Sequence, residues 1–110
     1  MTRGLPDAYE GRNNPLLRTS ENITQGHRLY SDNCAICHGN QGWGNGPGGR
    51  SLAPAPANLA SLIRMPIAQD DYLFWAISEG GVQFGSAMPA FKESLSESDR
   101  WLIILFLRQL

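Results

Sequence analysis

One lysine, two histidines and two cysteines are all that 110 residues contain of those types. Lys92 is the lysine, and arginine supplies the other positive charges, scattered without a run. With a formal net charge of -1, the chain offers no basic surface for nucleic-acid phosphates. Long apolar stretches are missing too. The longest, Trp101 to Leu107, is held between Arg100 and Arg108 and falls far short of the roughly 20 residues of a membrane span. Residues 1–17 have no apolar segment of the kind that drives secretion. No alternating pattern marks a strand, and no repeat or low-complexity tract occurs. The two cysteines, Cys34 and Cys37, stand too close together for a disulfide to staple the fold.

Loop-forming residues are abundant instead. Twelve glycines and seven prolines leave a small domain with much irregular chain. Such a domain buries little apolar surface by itself and needs a staple. A large apolar cofactor at its centre would serve. The composition, 42% apolar and 17% charged, still suits one folded domain. Residues 1–21 lack any period and read as an extension or linker, with the domain spanning 22–110. The helical signals predict a first helix from the capping residues Thr19 to Asn22 as far as Cys34. A short one follows at 57–63, and a third runs from Asp70 or Asp71 to the Gly80-Gly81 stop. The last opens at Ser96-Glu97-Ser98-Asp99 and continues to the C-terminus. The fold class is all-α.

Cys34-Ala35-Ile36-Cys37-His38 is the Cys-x-x-Cys-His pattern of covalent haem attachment. Thiols three residues apart fall on one side of a helical turn and can bond the two vinyl-derived carbons of a single porphyrin. His38 then projects at the iron from the same segment. Three other chemistries share parts of this pattern. A thioredoxin-like dithiol needs a strand before the first cysteine. A zinc site could combine Cys34, Cys37 and His27 but lacks a second pair of ligands. A simple disulfide would leave His38 without a role.

The surroundings of the motif decide for haem. From about Ile23 to Leu110 the chain resembles a class I bacterial cytochrome c. Gly26-x-x-x-Tyr30 upstream of the motif resembles that family's first helix, and Ile103-x-x-Phe106 resembles its packing counterpart in the last. The resemblance implies three to five helices wrapped around one haem c held by Cys34 and Cys37, with the N- and C-terminal helices crossing at Gly26. It also implies axial ligands at His38 and at a methionine. Met65 and Met88 both precede proline, so that dipeptide does not discriminate between them. Met88 is expected, because it lies 50 residues past His38 in the loop Gly85 to Phe91, which resembles the family's ligand loop. In the family a proline carbonyl holds the ligand histidine. Pro56 is the expected counterpart here, with Pro54 as the alternative. Trp43, Arg50 and Trp75 are candidates for the haem propionates. His27, about 10 Å along the helix from Cys34, is expected to be a partly exposed helix residue.

Such a chain is expected to be a single-electron carrier cycling between ferric and ferrous states, and not an enzyme. It could stand alone or form the electron-transfer domain or subunit of a larger redox enzyme. An enzyme with an open haem, or a haem-based sensor, would require Met88 not to bind. Redox partner proteins are expected to dock transiently at the exposed haem edge of a monomer. Haem attachment of this kind places the protein in the periplasm or otherwise outside the cytoplasm, by way of a signal or anchor not found in this sequence.

Overall fold

The computed structural model describes residues 4–110; residues 1–3, the start of the expected extension, lie outside the described residues. Five helices form: α1 (Ser20–Asn33), α2 (Ala35–His38), α3 (Leu59–Leu62), α4 (Asp70–Glu79) and α5 (Glu97–Leu107). Single 3₁₀ turns occur at Pro47–Gly49 and Val82–Phe84, and no strand forms among the described residues. Thr19 caps α1 by accepting from the Asn22 N–H at 3.0 Å. Ser96 does the same for α5 through the Asp99 N–H. Both satisfy a backbone donor that a helix leaves free in its first turn.

The core is built on α5, in which every residue from Arg100 to Leu107 is buried. Its largest helix contact is with α1. Gly26 faces the backbone of α5 there: a Cβ at this position would stand 2.0 Å from the Leu102 carbonyl oxygen. Hydrogen in place of a side chain is what permits the crossing. Phe106 fills the space beside it, 5.0 Å from Tyr30 and stacked on His27 at 4.5 Å. On another side α5 meets α4, where Trp101 stacks on Phe74 at 3.9 Å. Arg108 ties the two helices by bonding the Ala68 carbonyl and the Asp70 carboxylate.

The segment ahead of α1 is docked rather than free. Leu5 and the partly buried Tyr9 and Leu16 pack inward. The Gly11 N–H donates to Asp71, the Asn14 N–H to Asp70, and the Asn14 side-chain amide to the Trp101 carbonyl. Arg12 pairs with Glu97 and covers the Phe74 ring at 4.7 Å. These contacts are polar and irregular, so they leave no periodic trace in a sequence.

Candidate functional site

The Cys34 N–H still bonds the Tyr30 carbonyl at the end of α1. Cys34 then caps α2, and its carbonyl accepts from the N–H groups of Cys37 and His38. The motif is thus one helical turn hung from the end of α1. Tyr30, fully buried, donates its hydroxyl to the Gly39 carbonyl at 2.6 Å and fixes the exit of that turn. Burial pushes its hydroxyl up to about 12, and the Cys34 thiol likewise to about 12.

Cys34, Cys37 and His38 line one cavity that opens to solvent. The loop after the motif folds back on it, with the Gly44 N–H on the His38 carbonyl and the Gly46 N–H on the Cys37 carbonyl. This return brings Leu52, Pro54, Pro56 and Ala57 to the cavity wall. His38 Nδ1 lies 3.0 Å from the Ala57 carbonyl oxygen. A carbonyl can only accept, so Nδ1 carries the proton and Nε2 keeps a free lone pair. The expected Pro56 carbonyl does not take this role. It packs against Gly44, where a Cβ would meet it at 2.7 Å, and the next carbonyl reaches the imidazole instead.

A further wall comes from Ser86, Ala87, Met88, Pro89 and Phe91. Met88 is held at both backbone groups: its N–H donates to Ser86 Oγ and its carbonyl accepts from the Gly81 N–H. Gly80 makes the turn into this loop at φ +67, and a Cβ there would lie 2.5 Å from the Pro89 carbonyl oxygen. Met65 is 51% exposed and does not reach the cavity. The structure therefore brings together Cys34, Cys37, His38, Met88 and Pro56. Trp43 and Arg50 are exposed and outside the cavity lining. A glycine-rich loop without a period gives no means of telling which of its side chains face inward. Trp75 sits among Tyr72 and Phe84, and Trp101 is core.

Ser86 and Ala57 were not evident as site residues. A serine two residues before Met88 is a local turn signal that points to the first. A backbone carbonyl such as Ala57's has no side-chain signature. The zinc alternative loses its ligands, because His27 stacks on Phe106 and no three His, Cys, Asp or Glu side chains among the described residues converge as a metal site. The donor set in the cavity fits an iron porphyrin: two thiols three apart, an imidazole with a free Nε2, and a thioether, with largely apolar walls.

A Cys-x-x-Cys-His turn sharing an apolar cavity with a methionine loop, inside an all-helical fold with crossed terminal helices, defines a class I c-type cytochrome. Residues 21–107 match the model of the family described as cytochrome c oxidase, cbb3-type, subunit III, and the chain belongs to that family. Its chemistry is haem-based electron transfer. Among solved structures, a chain of the Kuenenia stuttgartiensis reducing HAO-like protein complex Kustc0457/Kustc0458 is similar, with a TM-score of 0.72 and 23% identity over 86% of this chain. Cytochrome cL from the marine methylotroph Methylophaga aminisulfidivorans is similar with a TM-score of 0.62 and 24% identity over 86% of this chain. At these identities the likeness speaks for the fold. The match covers 46% and 57% of those chains, so this chain spans about half their length. No curated protein matches by sequence.

Proposed function

We propose that this domain carries one electron at a time on a single haem c bound through Cys34 and Cys37, with His38 and Met88 as axial ligands. The observation that carries the reading is the shared cavity: the motif on α2 and Met88 on a separate loop both line it. When bound, the haem supplies an iron that changes only its charge if both axial positions are filled. The chain's own residues do the rest. Ala57 holds the His38 ring through Nδ1 and keeps Nε2 available as a ligand. Met88 offers a soft sulfur that favours the ferrous state, and apolar walls disfavour the added charge of the ferric state. Ser86 and Gly81 fix the Met88 backbone, which keeps the geometry similar in both states.

Exposed apolar residues beside the motif, Ile36 at 57% and Trp43 at 56%, suit brief docking of a redox partner protein. Among the described residues, no helix is long and apolar enough to cross a membrane. Haem attachment by this motif places the domain outside the cytoplasm, as a free carrier or as the electron-transfer domain of a larger redox protein.

Two measurements test the reading. Acidic extraction under denaturing conditions should leave haem on the protein, with the mass raised by one haem. The ferric protein should show the weak sulfur-to-iron band at the red end of the spectrum, lost in Met88→Ala and kept in Met65→Ala. The reverse pattern in the two variants would overturn the ligand assignment.

A further inference from the structure

Residues 4–18 precede the region shared with the family, which begins at residue 21. They nevertheless reach the loop that carries Met88, and they do so through one carboxylate. Glu79 is the last residue of α4, directly before the Gly80 turn into that loop. Tyr9 donates its hydroxyl to Glu79 Oε2 at 2.5 Å. Lys92, at the far end of the same loop, donates Nζ to Glu79 Oε1 at 2.9 Å. The far end of the loop returns to the last turn of α4, with the Phe91 N–H on the Ile77 carbonyl and the Lys92 N–H on the Ser78 carbonyl. Tyr9 is itself held in place. Its ring lies 6.0 Å from Phe74, and Gly11 and Arg12 anchor the chain on either side of α4 and α5 through Asp71 and Glu97.

We propose that Tyr9, Glu79 and Lys92 are positioning residues that hold the loop 80–92 closed, so that the segment 4–18 sets how readily Met88 leaves the iron. The proposal rests on Met88 being the axial ligand, as argued above. Loops open locally at less cost than the whole fold. Hydrogen bonds to a carboxylate are among the stronger ones available to it. The Tyr9 hydroxyl and the Lys92 ammonium both favour the charged carboxylate and hold Glu79 below the usual carboxylate range. Removing either partner therefore raises the open fraction. A competing ligand reads that fraction directly, because its apparent affinity scales with it.

The test is an imidazole titration of the ferric holoprotein, followed by loss of the red sulfur-to-iron band. Tyr9→Phe keeps the ring on Phe74 and removes only the hydroxyl; Glu79→Ala and Lys92→Gln remove the other two parts. Each should start with the band present and bind imidazole roughly three- to tenfold more tightly than wild type. Lys92→Arg should restore the wild-type value. Arg108→Gln breaks a comparable ion pair with Asp70 at the other end of α4. It should lower the denaturant midpoint and leave imidazole affinity unchanged. Wild-type affinity in both Tyr9→Phe and Glu79→Ala would overturn the proposal alone. So would an equal gain in Arg108→Gln, because general loosening would then explain the effect. A band that is missing from wild type, or that survives Met88→Ala, would overturn the ligand assignment and this proposal with it.

Discussion

Replacing Gly26 by alanine separates two opposed effects of known sign. In an unobstructed helix the change stabilises by about 1 kcal/mol, since glycine is the poorer helix former. At this crossing the new methyl would lie 2.0 Å from the Leu102 carbonyl oxygen, 2.8 Å from its carbon and 3.2 Å from Phe106 Cβ. Ordinary carbon contacts need about 3.5–4.0 Å. The obstructing atoms are backbone, so no side chain can rotate away and α1 must move off α5. Overpacking of this kind costs roughly 1–3 kcal/mol, and a clash with backbone belongs at or above the upper end. The net expectation for Gly26→Ala is a loss of about 2 kcal/mol, with Gly26→Val losing more. Urea unfolding of the holoprotein, followed by far-ultraviolet circular dichroism, measures it. With a slope of about 1–3 kcal/mol per molar urea, the midpoint should fall by roughly 1 M. Gln25→Ala, at the exposed neighbouring position, should stay within about 0.5 kcal/mol of wild type. A Gly26→Ala protein as stable as wild type, or more stable, would show that helix propensity wins and that the close crossing is not a constraint.

Tyr30→Phe removes one of two bonds to the Gly39 carbonyl, which keeps the Gly42 N–H, so it should cost about 0.5–1.5 kcal/mol in the same unfolding assay. The Tyr30 hydroxyl is raised by burial to about 12, so its contribution is full below its ordinary value of 10.0 and is lost as pH rises through the folded value. Wild type and Tyr30→Phe should therefore converge in stability at strongly alkaline pH, and a gap that stays constant would refute this. Glu79 has the opposite sign: Tyr9 and Lys92 lower it from 4.5, so its contribution is present above that value and fades as pH falls through the folded one. The stability difference between wild type and Glu79→Gln should close on acidification, which denaturant midpoints at a series of pH values will check. Electron exchange with small anionic and cationic redox reagents should depend only modestly on ionic strength, since charges are dispersed and screened beyond about 8 Å at physiological salt. A change of two orders of magnitude in either rate between low and physiological salt would reveal a charged patch assembled by the fold.

What could be read from the sequence is what rests on near neighbours. Thr19, Ser96 and the Gly80-Gly81 pair announce helix ends because caps and stops act within a few residues. The haem motif is a single turn, and Gly26 stands out because an aromatic follows at helical spacing. Met88 was separable from Met65 only through its loop; Met65 lies 51% exposed and away from the cavity. The failures share a cause. Tyr9 meets Glu79 across 70 residues of chain through one hydroxyl, a contact that neither period nor composition can encode. The carbonyl that reaches His38 belongs to Ala57 rather than Pro56, a matter of backbone orientation in a loop without regular structure. The first helix does reach Cys34 as its signals indicate, and the break there, at φ -117, separates α1 from α2.

That break has a consequence for how the two walls of the cavity are supported. The motif hangs from α1, and the Met88 loop is pinned to the last turn of α4. α1 makes its main contact with α5, and α4 also packs on α5, so the separation of the walls is set by one buried helix. This explains why α5 carries no polar face beyond its first turn: its surface is shared among α1, α4 and the docked segment 4–18. It also explains the placement of Arg100, buried in that helix and bonded to Ser78 of α4 at 2.5 Å, with the Phe74 ring 4.8 Å away. Two packed interfaces and a few directed polar bonds thus hold His38 and Met88 on the wall of one cavity. The axial pair proposed above, held this way, can keep its geometry through a change of charge, because moving either residue would mean moving a helix against α5.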